Sequence, residues 1–512
     1  MRSIQSIVLL IGVILCGLIL LCPLAIEPVP WRSEIWLYQA IVDMHKGMHL
    51  IPSLNGLPVI GQNPVNIILL SLSGLTDIFS LRIVSILLGC IVVSVVFVMS
   101  SSLWDMKSAF LSSLLTLTSL GFILTHSTLN TWFIPSSLII IAFALLSLAY
   151  IKESSTWWYI PAYIFAGIST ITGGWSYLAF FAFSTIFLIL LDLSPKRFLR
   201  IRAITGIVII ALILISVYLT YRIIAGHALA SSLFPDFENT GMFSRLWVLV
   251  KYSLPWFILV IPAWIHAETT GDQGVWRTLL PAKIAFVMGA AILLFSPDYH
   301  EGYATIGIPF LCMLTGYWMA HGFILPEKLE PARNIFLLLT GVVLLGSAIA
   351  AVSINPLKTF SITVPEAIPI VFFIIAGLFM LYLVKKRFTS AIITLCIGSV
   401  FVLVWSMALV QLPGRTEEPL AAVKEMTTYS PLLVYRDDLM MRGYVEHAGI
   451  RPIVVGREVV PIGESAYLAA TTDDLDDLME RLSSKMHTDL ITSYKDGETF
   501  ALIRLSMPES VQ

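Results

Sequence analysis

The chain has 512 residues, of which 57% are hydrophobic and 12% charged, with a formal net charge of −2. Soluble domains carry roughly 25% charged residues, so a water-soluble enzyme and a disordered chain are excluded. An outer-membrane barrel, whose strands alternate and lack long apolar runs, is excluded too. What remains is an all-α polytopic membrane protein, with no charge excess that would call for nucleic acid as a partner.

The first apolar run, 4–26, follows Arg2 and has the look of a secretory signal. It lacks a small-x-small cleavage site and continues into Pro23 and Glu27, so it reads as an uncleaved first helix. Residues 27–80 then form an outer loop far longer than the usual connection of about 4–6 residues. Within it Ile35, Leu37, Tyr38, Ile41, Val42, Met44 and His45 recur at helical spacing, which predicts an interfacial helix over 35–48. Gly47 is placed to stop it. The Pro-, Gly- and Asn-rich stretch 50–64 reads as irregular, and 66–75 as a second short apolar helix. Two interfacial helices would roof a cavity facing the outer leaflet.

Further apolar runs follow at 81–103, 108–126, 133–151, 157–173, 175–191, 203–225, 246–266, 279–295, 303–324, 334–354, 366–384 and 388–411. With the first, they make roughly thirteen spans by the rule of about 20 apolar residues per crossing. Lys107, Lys152, the cluster Lys196/Arg197/Arg200/Arg202, Arg277, Lys328/Arg333 and Lys385/Lys386/Arg387 fall in alternate loops. The positive-inside rule then puts the N-terminus in the cytoplasm and, with an odd number of spans, the C-terminus outside. Lys283 lies inside a span near its cytoplasmic end, where snorkelling suffices. From Pro413 the sequence turns polar, with β-like runs at 432–435, 452–455 and 500–505 and an amphipathic helix over 472–485. The expected organisation is a transmembrane domain over 1–412 and a small outer α/β domain over 413–512. Cys16, Cys22, Cys90, Cys312 and Cys396 all sit in apolar segments without metal spacing and read as small buried hydrophobes.

The loop has a recognisable shape. It reads Ser33-Glu34, Trp36-Leu37, Met44, KGMHLIPSLNGLP (46–58), QNPV (62–65) and then LRIVS (81–85). Later come TGGW (172–175), SLPWFILVIPA (253–263), SPDYHEGYATIGIP (296–309) and RGYVEHAGIRPIVV (442–455). Order and spacing resemble the bacterial lipid A aminoarabinose transferases and the wider protein O-mannosyltransferase group of GT-C glycosyltransferases. The resemblance implies a GT-C-like fold in a bacterial cytoplasmic membrane. It implies a sugar donor on a polyprenyl phosphate, a lipid, glycan or protein acceptor, and inverting attack on the anomeric carbon. A carboxylate would take the acceptor proton, and cations and donors would hold the departing phosphate.

Several positions depart from the family pattern. Ser33 stands where the family has its first-loop Asp, Trp36 where it has Arg, Gln62 and Gly173 where it has Lys, Asn130 or Thr131 where it has a second Asp, and His300 or Glu301 where it has Lys. Asn55, Gly56, Pro64, Arg82, Tyr303 and Pro309 are kept. Fixed charge is lost and fold-supporting residues stay. Either the chemistry is rearranged, or the chain binds lipid-linked sugar or a partner without turning it over. A lipid-linked substrate transporter is a third reading, weakened by the absence of ionisable runs inside the spans and of broken helices paired in repeated halves.

Each candidate carries a functional and a plainer reading. Glu34 is the base, or an acid interacting with a helix dipole. Asp43 is the second carboxylate, or part of a solvated face; at roughly 100° per residue it projects about 180° away from Glu34. Arg82 partners the donor phosphate or snorkels at the interface. His300 and Tyr303 share one outer turn, where His300 supplies charge when protonated or is simply solvated. Gln62 would donate as a neutral group, and Ser33 and Asn130 would line the same site. No metal ligand set is visible, so no cofactor is expected, and a divalent cation at the phosphate stays open.

Overall fold

The computed structural model describes residues 2–25, 34–47, 52–54, 57–58, 63–152, 157–192, 202–230, 241–254, 256–269, 272–296 and 300–321, positions 335, 336 and 339, and five strands between 432 and 506. The chain falls into two compact units, 1–26 with 82–408 and 27–81 with 409–512.

In chain order the helices are α1 (Arg2–Ala25), α2 (Ile35–Gly47), α3 (Pro64–Leu72), α4 (Ile78–Leu103), α5 (Met106–Leu117), α6 (Leu120–Ser127), α7 (Phe133–Ile151), α8 (Tyr159–Gly173), α9 (Trp175–Asp192), α10 (Ala203–Ala230), α11 (Met242–Ser253), α12 (Val260–Thr269), α13 (Gln273–Phe295) and α14 (Tyr303–Ala320). Among the described residues, α4, α7, α9, α10, α13 and α14 are each long and apolar enough to cross a membrane. α8 falls where a span was expected but has only 15 residues. The expected spans at 334–354, 366–384 and 388–411 lie almost wholly outside the described residues.

In the first unit α14 and α7 are innermost, with 94% and 83% of their apolar windows buried, whereas α10 with 6% is peripheral. Without a hydrophobic drive between helices in lipid, small residues decide which backbones come close. A Cβ on Gly289 of α13 would lie 2.8 Å from the backbone nitrogen of Gly307 on α14, so the two helices touch backbone to backbone there.

Two expected spans are broken. The stretch 108–126 is α5 and α6 bent by 64°, and 246–266 falls on α11 and on a 3₁₀ turn (Trp256–Leu259) leading into α12, bent by 92°. At the first break the Thr118 and Ser119 hydroxyls donate back to the Leu114 and Leu115 carbonyls at 2.8 Å, ending α5. At the second, Leu254 is extended (ψ 147°) because a proline follows it. The breaks meet: Leu120 N–H donates to the Leu254 carbonyl at 3.0 Å, and the Trp256 indole donates to Thr118 Oγ1 at 3.0 Å. Lys283 does not snorkel. It is 3% exposed, and its Nζ donates to Glu268 Oε1 at 2.9 Å and to the Ala267 carbonyl at 3.1 Å.

The second unit contains α2, α3 and two sheets. Asn63 caps α3, its Oδ1 accepting from Val65 N–H at 3.0 Å, and Pro64 opens the helix. The expected irregular stretch holds a small hairpin, β1 (Ser53–Leu54) against β2 (Leu57–Pro58), with Leu54 opposite Leu57. Asn-Gly between two apolar runs is a strong hairpin signal, and it outweighs the irregular composition of this stretch. Toward the C-terminus β3 (Leu432–Tyr435), β4 (Ile453–Val455), β5 (Ser465–Thr471), β6 (His487–Tyr494) and β7 (Phe500–Ser506) form a sheet of order β4-β3-β5-β7-β6. β3 runs parallel to β4 and β5; β7 runs antiparallel to β5 and β6. The expected runs are β3, β4 and β7. β6 escaped notice because an edge strand tolerates polar residues such as His487, Thr488 and Asp489. The helix expected over 472–485 lies outside the described residues.

Asp77 Oδ1 accepts from Ser80 N–H at 2.8 Å just before α4. The side-chain and backbone hydrogen bonds from Ser80 hold its carboxyl below the usual carboxylate range. A depressed folded-state pKa gives stability that is present above the unfolded value of about 3.9 and lost as pH falls through the folded one. Asp77→Ala should therefore cost about 1 kcal/mol at neutral pH. In detergent its unfolding temperature should lie below wild type at pH 7 and converge with it in acid.

Candidate functional site

In the second unit Glu34 stands at the entry to α2, its carbonyl accepting from Tyr38 N–H at 2.8 Å, and its side chain is completely buried. Ile35, Leu37, Ala40, Ile41 and Met44 form the inward face of α2. Trp36, where the family pattern has Arg, is buried as well. Asp43 is half-buried further along the helix. Tyr38 Oη donates to the Thr76 carbonyl at 3.2 Å, tying α2 to the turn before α4. Burial, with the charge of Asp77 adding to it, pushes the Tyr38 phenol up. Ser33 and Gln62 lie outside the described residues.

In the first unit Arg82 is completely buried in the first turns of α4. One turn on, the Ser85 hydroxyl donates to the Thr125 carbonyl at 3.3 Å, and the Ser85 carbonyl meets His126 Nδ1 at 3.2 Å. The His126 ring lies on Gly89, where a Cβ would come within 2.8 Å of its Cγ. His126 thus packs α6 against α4. Asn130 closes the turn between α6 and α7. Its Nδ2 donates to the Thr125 carbonyl at 2.9 Å and to Thr128 Oγ1 at 3.1 Å, while its Oδ1 accepts from Trp132 N–H at 3.2 Å. Both ends of this amide are engaged within its own loop.

His300 and Tyr303 are brought together at the start of α14. The His300 carbonyl accepts from Tyr303 N–H at 3.2 Å and the Glu301 carbonyl from Ala304 N–H at 3.0 Å. The imidazole is half-buried among three rings: Trp132 and Tyr177 stack on it at 5.8 and 5.9 Å between centroids, and Tyr303 approaches to 3.8 Å. Tyr177 is fixed from behind, its hydroxyl 3.1 Å from Ser136 Oγ. Aromatic faces favour a cation, and imidazole and phenol both donate hydrogen bonds suited to an anionic oxygen.

Trp132 and Tyr177 were not anticipated. Their signal was present, since Trp132 follows Asn130 at the end of the broken third span and Tyr177 follows TGGW by two residues. Arg245 was also missed. It is 8% exposed, and Nη1 donates to the Ser296 carbonyl at 2.6 Å and the Leu294 carbonyl at 3.2 Å. Among the described residues no three His, Cys, Asp or Glu side chains are grouped to hold a metal ion.

ArnT from Cupriavidus metallidurans, solved bound to undecaprenyl phosphate, matches this chain with a TM-score of 0.70 at 13% identity, over 98% of both chains. The chain has the ArnT fold. ArnT in the apo state matches equally, with a TM-score of 0.70 at 14% identity over 98% of both chains. The archaeal oligosaccharyltransferase AglB from Archaeoglobus fulgidus, in complex with an inhibitory peptide and a dolichol-phosphate, matches with a TM-score of 0.50 at 10% identity, over 99% of this chain and 75% of its own. Both are GT-C glycosyltransferases. No protein-family model and no curated protein matches the sequence. The ArnT fold over nearly the whole chain agrees with the landmarks NG.P and LRIVS and with their spacing.

Restoring the family's acid at Asn130 should harm rather than help. Asn130→Asp replaces a donor to two acceptors with a carboxylate facing them, at a cost of about 1–3 kcal/mol. The unfolding temperature in detergent should drop.

Proposed function

We propose that this protein is a membrane glycosyltransferase that moves a sugar from a polyprenyl-phosphate donor to a lipid, glycan or protein acceptor. The carrying observation is the ArnT fold over 98% of the chain, shared with a protein solved with undecaprenyl phosphate. The proposed setting is a bacterial cytoplasmic membrane, with thirteen spans, the N-terminus inside and the C-terminal α/β unit outside.

In the proposed reaction the acceptor oxygen attacks the anomeric carbon and the bond from that carbon to the phosphate oxygen breaks. The lipid phosphate leaves with the electron pair. A hydroxyl acceptor releases its proton to Glu34; a phosphate acceptor needs no base. Asp43, half-buried on α2, is the second candidate for that role. Arg82 supplies the fixed positive charge toward the lipid phosphate, while His300 and Tyr303 donate to it. Gln62 and Ser33 take the places the family pattern gives to Lys and Asp. Asn130 shapes the loop that carries Trp132, and any contact it makes with substrate would be in addition to that.

The test is transfer from a polyprenyl-phosphate-linked sugar by the purified protein. Glu34→Gln should lower turnover by roughly 10²–10⁴ while undecaprenyl phosphate still binds; unchanged turnover removes Glu34 from the mechanism. Arg82→Gln should weaken that binding by about tenfold or more. A chelator in the same assay tests for a divalent cation at the phosphate. The second reading, a relative that binds without transferring, is favoured by the departures at Ser33, Gln62 and Asn130. Intact binding with no transfer by wild type across lipid, glycan and peptide acceptors would establish it.

A further inference from the structure

α11 contacts both the end of α13 and the start of α14, where His300 lies. Met242, Phe243, Leu246 and Trp247 make its outward face, and Arg245, Val248, Leu249 and Tyr252 its inward one. On one side the Arg245 guanidinium donates to the carbonyls of Leu294 and Ser296, capping the last turn of α13 with a cation. On the other the Tyr252 hydroxyl donates to Glu301 Oε2 at 2.6 Å, a charge-assisted bond. Lys251 Nζ stands 3.9 Å from the same oxygen. That ion pair is long and half-exposed and contributes little; the tyrosine is the stronger tie.

The seat of Tyr252 is itself determined. Its Cβ lies where a Cβ on Gly121 would come within 2.6 Å, so α11 presses directly on the backbone of α6. Any side chain at position 121 displaces the root of Tyr252 rather than its flexible end. A chain of contacts therefore runs from Gly121 through Tyr252 to Glu301, and on to the neighbouring His300.

We infer that α11 is a positioning clamp: Arg245 and Tyr252, seated on Gly121, hold the end of α13 at Ser296 and the start of α14 at Glu301, and thereby fix the orientation of His300 between Trp132, Tyr177 and Tyr303. None of the clamp residues needs to touch substrate. The clamp stands on contacts within the first unit; only its consequence for lipid binding rests on the function proposed above.

Two readouts on the full-length protein in nanodiscs separate these levels. The first is hydrogen–deuterium exchange at the amides of Tyr303 and Ala304, which bond to the His300 and Glu301 carbonyls. Tyr252→Phe and Glu301→Gln should each speed exchange there by about tenfold. Gly121→Ala, remote from the turn, should act in the same direction, and Arg245→Lys should restore part of what Arg245→Gln loses. Exchange equal to wild type in Tyr252→Phe and Gly121→Ala, with both folded by unfolding temperature, overturns the clamp. The second readout is a double-mutant cycle on undecaprenyl phosphate binding. Tyr252→Phe should weaken binding in wild type and add nothing in a His300→Gln background. Additive losses overturn action through His300. If wild type does not bind undecaprenyl phosphate at all, the proposed function fails, and the exchange measurement still decides the clamp.

Discussion

A helix that breaks inside a bilayer must find partners for the backbone groups it frees, because lipid offers none. Here the two breaks serve each other. The Leu120 amide, freed at the start of α6, donates to the Leu254 carbonyl, freed at the end of α11, and the Trp256 indole closes the junction on Thr118. Much of the packing around α6 and α11 depends on that junction. It places α11 across α6, with Tyr252 over Gly121, and from there Arg245 and Tyr252 reach the turn before α14. Had α5 and α6 continued as one straight span, the Leu120 amide would bond within its own helix and α11 would lose this anchor.

Scarce charge takes on a different meaning in this setting. In the family pattern the loops carry acids and lysines; here Ser33, Gln62, Asn130 or Thr131, and His300 or Glu301 stand at those positions. At two of them the structure shows what replaced charge. Asn130 engages its amide in the α6–α7 turn, and His300 lies among the ring faces of Trp132 and Tyr177. The charged groups that remain, Glu34 and Arg82, are both fully buried.

Much of the fold was legible in the sequence because length and hydropathy report it directly. The long apolar helices, the pair α2 and α3 and the strands β3, β4 and β7 all follow from periodicity and composition. Bends were not legible from hydropathy, since Thr118 and Ser119 interrupt a hydrophobic run without making it polar. The proline after Leu254 was the one local signal of the second break. The site was legible only in part. Glu34, Arg82, His300 and Tyr303 are candidates by their place in the family pattern, but polarity alone argues that Glu34 and Arg82 are exposed, which is the reverse of what is found. Trp132, Tyr177, Arg245 and Tyr252 belong to segments distant in sequence from His300, and only tertiary packing brings them to it.

The proposed function requires a lipid-phosphate site in an ArnT-type fold without the lysines of the family pattern. A structure of the full-length protein with undecaprenyl phosphate bound tests it most directly. The account predicts the phosphate at about 3 Å, hydrogen-bonding distance, from the Arg82 guanidinium or from the His300–Tyr303 turn. A phosphate held elsewhere, with both of these left untouched, would contradict it.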